Sequence, residues 1–213
     1  MKKTLAAALA LTATPALAHH PLGGLPMETL THGLLSGVGH PVLGFDHLFF
    51  VVAVGVLALF TANRLLAPAA YIGAMLVGCG LMYAGVALPL AELVIVASLI
   101  VAGGMLALGR TVSAPAILAV FAVFGLFHGS AFGGSIADQE GGVGGAVLLG
   151  YLVGLGVVQY AIAIAAGWVV EKLGATGEGA VNARLVGAAI TGVGLFLALE
   201  VIEGPIVAAL TAA

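Results

Sequence analysis

Apolar residues run along this chain in long blocks separated by short polar gaps, rather than in the two-residue alternation of a half-buried strand. A helix that crosses a bilayer needs about 20 such residues. Six windows fit: Leu43–Phe60, Leu66–Leu88, Leu90–Gly109, Pro115–Gly133, Val143–Val170 and Arg184–Ile202. Their punctuation suits helices. Pro68 and Pro115 fall in first turns, where a missing N–H costs no hydrogen bond, and Ser113 stands as an N-cap. A shorter apolar stretch, Met27–Val38, makes only about 18 Å of helix and cannot cross. It is expected to lie at the outer interface or to re-enter as a half-helix. The expected fold is all-α, a polytopic membrane protein of six transmembrane helices behind a cleaved signal peptide and a short outer half-helix.

The first residues read as that leader. Lys2 and Lys3 give a positive start, Leu5 to Leu11 an apolar segment too short to span, and Ala16-Leu17-Ala18 a small-residue cleavage site after Pro15. Residues 1–18 are thus expected to be the signal peptide, 19–42 a periplasmic segment and 43–213 the six-helix domain. Starting outside, the inner loops become Thr61–Leu65, Arg110–Ala114 and Glu171–Ala183. Arg64, Arg110, Lys172 and Arg184 fall in or beside them, as the excess of positive charge on cytoplasmic loops requires. Glu28, Asp138, Glu140 and Glu203 lie on outer segments, with Glu92 at the outer start of the third window. The expected place is the bacterial inner membrane, multi-pass, with both termini periplasmic.

Composition narrows the function. Charged residues are 7% of the chain, against roughly 25% in soluble domains, and hydrophobic ones 62%. A soluble enzyme is excluded, and six Lys and Arg cannot form a nucleic-acid-binding stripe. Cys79 is the single cysteine, so neither an intramolecular disulfide nor a Cys-rich metal cluster can form. No GxxxxGK[ST] motif is present, which leaves the chain without its own phosphate-binding loop. Gly125, Gly129 and Gly133, and the pair Gly150 and Gly154, form small-residue faces that let helix backbones approach. The same faces offer a route to oligomers.

Ionisable residues within a membrane are costly and tend to be functional. All six histidines (His19, His20, His32, His40, His47 and His128) fall on the outer side of the expected topology. The densest cluster is His40-Pro41-Val42-Leu43-Gly44-Phe45-Asp46-His47. Pro41 and Gly44 interrupt a smooth helix, so His40 can fold back over the Asp46-His47 turn. Two imidazoles and a carboxylate at a helix mouth, with His128 at similar depth, make a nitrogen and oxygen ligand set suited to Ni, Co, Zn, Fe or Cu(II). The alternative is that Asp46 and His47 simply cap the helix and pair with each other. The expected metal ligands are His40, Asp46, His47 and His128, with His19, His20, His32 and Glu200 as additional candidates.

The run His40-Pro41-x-x-Gly44-x-Asp46-His47-x-x-Phe50, followed by Ala53-Val54-Gly55, resembles the signature of the HupE/UreJ family. These are small bacterial membrane proteins associated with hydrogenase and urease systems and regarded as nickel permeases. The family's second motif resembles F-H-G-x-A-H-G-x-E, and Phe127-His128-Gly129-Ser130-Ala131-Phe132-Gly133-Gly134-Ser135 stands in its place. His128 is kept, whereas Phe132 and Ser135 replace the second His and the Glu.

The resemblance implies inward transport of a divalent metal ion from periplasm to cytoplasm, nickel first and cobalt next, with Zn, Fe and Cu as alternatives. It implies no enzyme activity, no organic cofactor and no nucleic-acid partner, only the lipid bilayer, the ion and a link to hydrogenase or urease maturation. The competing expectation is a membrane protein that binds metal and delivers it to such a system without transporting it. Met75, Cys79 and Met82 share one helix face and could pass Cu(I), though they are equally ordinary packing residues. Gln159 and Tyr160 suit interhelical hydrogen bonds. Ser130 lacks the general base that a serine protease needs.

Overall fold

The computed structural model describes residues 26–109, 112–137, 143–174 and 180–211, with backbone alone for 204–211. The expected leader, His19, His20, Arg110, Asp138 and Glu140 lie outside the described residues. Within them the chain is all-helical, with α1 (Leu30–Leu43), α2 (Phe45–Ala58), α3 (Ala67–Tyr83), α4 (Ala91–Ala107), α5 (Ala114–Ala137), α6 (Gly145–Lys172) and α7 (Val181–Thr211). The last six follow the six apolar windows in order.

Their lengths differ from the expectation. Among the described residues α5, α6 and α7 are long and apolar enough to cross a membrane, and α1 and α2 qualify only together, as one segment bent by 82°. Alone, α2 has 14 residues, about 21 Å. The window that predicts a span from Leu43 is cut at Gly44, whose extended backbone (φ −84°, ψ 104°) separates the two helices. α3 and α4 have 17 residues each, at the lower limit for crossing. The Met27–Val38 stretch is helical from Leu30, but its helix runs on to Leu43 and lies along α6.

Three helix pairs dominate the packing: α3 on α5, α1 on α6, and α4 on α7. Each depends on missing side chains. A Cβ on Gly129 would stand 2.0 Å from the Met75 carbonyl oxygen, and one on Gly33 2.1 Å from that of Val147. Gly150 faces the Leu30 carbonyl in the same way, and Gly187 the Ala107 backbone. The glycine faces of α5 and α6 are therefore taken up within the chain rather than offered to a second copy. Met75 and Cys79 are fully buried in the α3–α5 contact, as packing residues are. α2 forms the axis, with Phe50, Val51, Ala53, Val54 and Val56 all fully enclosed. The outward surface stays apolar, through side chains such as Leu185, Phe196 and Trp168.

Candidate metal centre

The bend at Gly44 creates the site. It brings His40, in the last turn of α1, over His47, in the first turn of α2, with ring centroids 5.8 Å apart. A side chain at position 44 would spoil this, since a Cβ there would meet His47 Cδ2 at 2.8 Å and Asp46 Oδ1 at 3.2 Å. Asp46 makes the contacts of the capping alternative. Its Oδ1 accepts the first-turn N–H of His47 at 2.8 Å, while Oδ2 lies 3.9 Å from His47 Nε2.

Two other helices reach in behind the imidazoles. His47 Nδ1 is 2.8 Å from Nδ1 of His128 on α5, and His128 Nε2 is 2.9 Å from the Ser98 hydroxyl on α4. The Ser98 hydroxyl also lies 2.6 Å from the Ile95 carbonyl oxygen. A carbonyl cannot donate, so the one hydroxyl proton goes to Ile95 and Ser98 must accept from His128 Nε2–H. For neutral rings, His128 Nδ1 is then the acceptor and His47 Nδ1–H the donor.

The same reasoning applies to His40. Tyr151 of α6 and Ser135 of α5 both donate to the Phe132 carbonyl, at 3.0 and 2.8 Å. His40 Nδ1, 2.9 Å from the Tyr151 oxygen and 3.2 Å from that of Ser135, must therefore supply the proton to them. A metal-binding histidine commonly donates its other nitrogen to the protein in this way, which fixes the ring and its tautomer. Phe132 wedges the pair, its ring 5.0 Å from His40 and 4.2 Å from His47 between centroids.

His40, Asp46, His47, Glu92, Ser135 and Glu200 line a cavity of about 350 Å³, large enough for an ion carrying part of its water shell. Of the expected ligands, His40, Asp46, His47 and Glu200 thus share one cavity. His128 stands behind it, fully buried, with both nitrogens engaged by His47 and Ser98. His32 is elsewhere, two turns back along α1, where it accepts a hydrogen bond from the Glu28 N–H. Among the described residues no three His, Cys, Asp or Glu side chains stand close enough to hold one ion together.

Sequence reasoning missed the supports, Tyr151 above all. A hydroxyl in a membrane helix seeks a partner, which was the available signal. The two departures from the HupE/UreJ pattern, Phe132 and Ser135, stand directly against the imidazoles.

Comparison with known proteins agrees with the motifs. The family described as "HupE / UreJ protein" matches residues 7–197. Among curated proteins, Protein HupE of Rhizobium leguminosarum bv. viciae is 29% identical over 184 residues, covering 85% of this chain and 90% of the relative. No solved structure matches the chain. With the family matched over most of its length, the chain belongs to the HupE/UreJ family.

Proposed function

We propose that this protein carries a divalent transition metal ion inward across the bacterial inner membrane, nickel foremost and cobalt next. The observation that carries the reading is the gathering of His40, Asp46 and His47 at one cavity, with both imidazoles holding Nδ1 toward the protein. Borderline-soft divalent ions prefer such nitrogens, while Asp46, Glu92 and Glu200 give the mouth a negative field that concentrates cations. His40 and His47 are the ligands, Asp46 joins them, and Glu200 assists. His128 and Ser98 hold His47, as Tyr151 and Ser135 hold His40. The bent α1–α2 segment and the 17-residue α3 and α4 complete a bundle whose termini are periplasmic, serving a hydrogenase or urease system.

The apolar packing around α2 favours a second reading, a protein that binds metal at this mouth and passes it to a partner. Uptake of radiolabelled nickel and cobalt into cells producing wild type or His47→Ala separates the two. The transport reading expects uptake by wild type and none above background in His47→Ala at equal membrane abundance. Metal binding by purified wild type without uptake would overturn it.

A further inference from the structure

Beneath the histidines a second polar layer crosses the interior. Tyr71 of α3 and Gln159 of α6 are both fully enclosed, and the Tyr71 hydroxyl donates to Gln159 Oε1. Gln159 Nε2 is buried and has no hydrogen-bond partner among the described residues. Turning the amide over only exchanges which end lacks one. Buried amides are nearly always satisfied, so one that is not asks for a reason. A leucine would fill the same space without an amide, but it would leave the Tyr71 hydroxyl without its acceptor.

The pair also lies between two cavities. Toward the histidines, the Tyr71 ring meets His128 edge-on at 6.2 Å, and both pack on Phe50, at 5.5 and 4.4 Å. Along α6, Tyr151, Leu155, Gln159, Ala163 and Gly167 recur at every fourth position on one buried face. Tyr151 holds His40, about 12 Å up the helix from Gln159. One turn in the other direction, Ala163 and Gly167 line a second cavity of about 100 Å³ with Gly55, Arg64 and Glu171. Arg64 and Glu171 form an ion pair at its rim.

We infer that the Tyr71–Gln159 pair is the station through which the ion passes from the histidine cavity to the Arg64–Glu171 cavity, an inference that rests on the transport reading above. The orphaned amide N–H is a place for a water travelling with the ion. Gln159 Oε1 and the Tyr71 oxygen can stand in for water ligands as it goes by. Neutral oxygens bind a divalent ion loosely, which a site meant to release it requires.

The test compares Ni²⁺ binding to purified full-length protein with Ni²⁺ uptake into vesicles holding the same protein, for wild type, Gln159→Leu and Tyr71→Phe. Both variants should bind Ni²⁺ within about twofold of wild type and lose at least tenfold in initial uptake rate. Gln159→Met carries the test if Gln159→Leu fails to accumulate. Uptake at the wild-type rate in a Gln159 variant, beside a transporting wild type, would overturn the path alone. A wild type that binds Ni²⁺ but does not carry it would overturn the transport reading, and the path with it.

Discussion

The two ends of α6 treat ionisable residues in opposite ways. Near its start, His40, His47 and His128 are 8%, 6% and 0% exposed, and the first two rings are each fixed by hydroxyl or imidazole partners from other helices. Near its end, Arg64 and Glu171 are 54% and 31% exposed and pair with each other. Burying polar groups is costly unless every donor and acceptor is matched, so the histidine end is maintained only by a detailed network. The far end needs no such network, because its charges are partly open and neutralise each other. Geometry that matters for ligand binding belongs where it is fixed, and that is the histidine end.

The most severe way to break this contrast is to push α1 off α6. A Cβ on Gly37 would stand 2.2 Å from the Tyr151 carbonyl oxygen, so Gly37→Ala must separate the helices that carry His40 and Tyr151. We expect a loss of about 3 kcal/mol, seen as a lower unfolding temperature or reduced membrane abundance. Gly73→Ala is the control: nothing lies within 4 Å of a Cβ there, and the better helix former should leave stability level or raise it by about 0.5–1 kcal/mol.

Next in size are changes within the network. His47→Ala removes a proposed ligand while leaving the helix ends in place, and Ni²⁺ binding measured by equilibrium dialysis should disappear. His128→Ala leaves both cavity-lining imidazoles but removes the acceptor that orients His47. Loss of such an outer partner weakens metal affinity about 10–100-fold. Tyr151→Phe takes from His40 one of two acceptors and leaves Ser135, so its effect should fall at the lower end of that range. Equal loss in His47→Ala and His128→Ala would mean that His128 is itself a ligand.

That distinction marks where the sequence stops being legible. Long apolar blocks in fixed order place α2 to α7, because lipid-facing and core-facing positions are both apolar and only length and breaks carry information. Pro41 and Gly44 announce the interruption that brings His40 edge-on to His47, although the chain turns at Gly44 and Pro41 stays within α1. Depth along the helices brings His128, 81 residues away, to the same level. Depth does not give rotation about the helix axis. Whether His128 faces the cavity or stands behind His47 depends on how α5 seats its glycines on α3. The roles of Ser98 and Tyr151 depend on the same packing. The 14-residue length of α2 was hidden for a similar reason: Leu59 and Phe60 continue the apolar run, while the helix already ends at Ala58, whose carbonyl accepts the Thr61 hydroxyl.

The smallest effect belongs to the exposed end, and it sharpens the contrast through salt. Arg64→Gln removes one partner of the ion pair but leaves Glu171 in contact with water, so no buried charge is stranded. Exposed pairs of this kind contribute about 0.2–1 kcal/mol. The loss in stability should therefore stay under about 1 kcal/mol. At an ionic strength of about 1 M the Debye length shrinks to roughly 3 Å, and the charge-dependent part of the pair fades in wild type too. Unfolding temperatures of wild type and Arg64→Gln, measured in low and high salt, should converge as salt rises. His128→Ala destabilises by removing a fully buried ring and its two hydrogen bonds, terms that salt does not screen. Its deficit should be the same at both salt concentrations. A deficit in Arg64→Gln that persists at high salt would show that the Arg64–Glu171 end, too, is held by packing, since Arg64 and Trp168 line the same cavity.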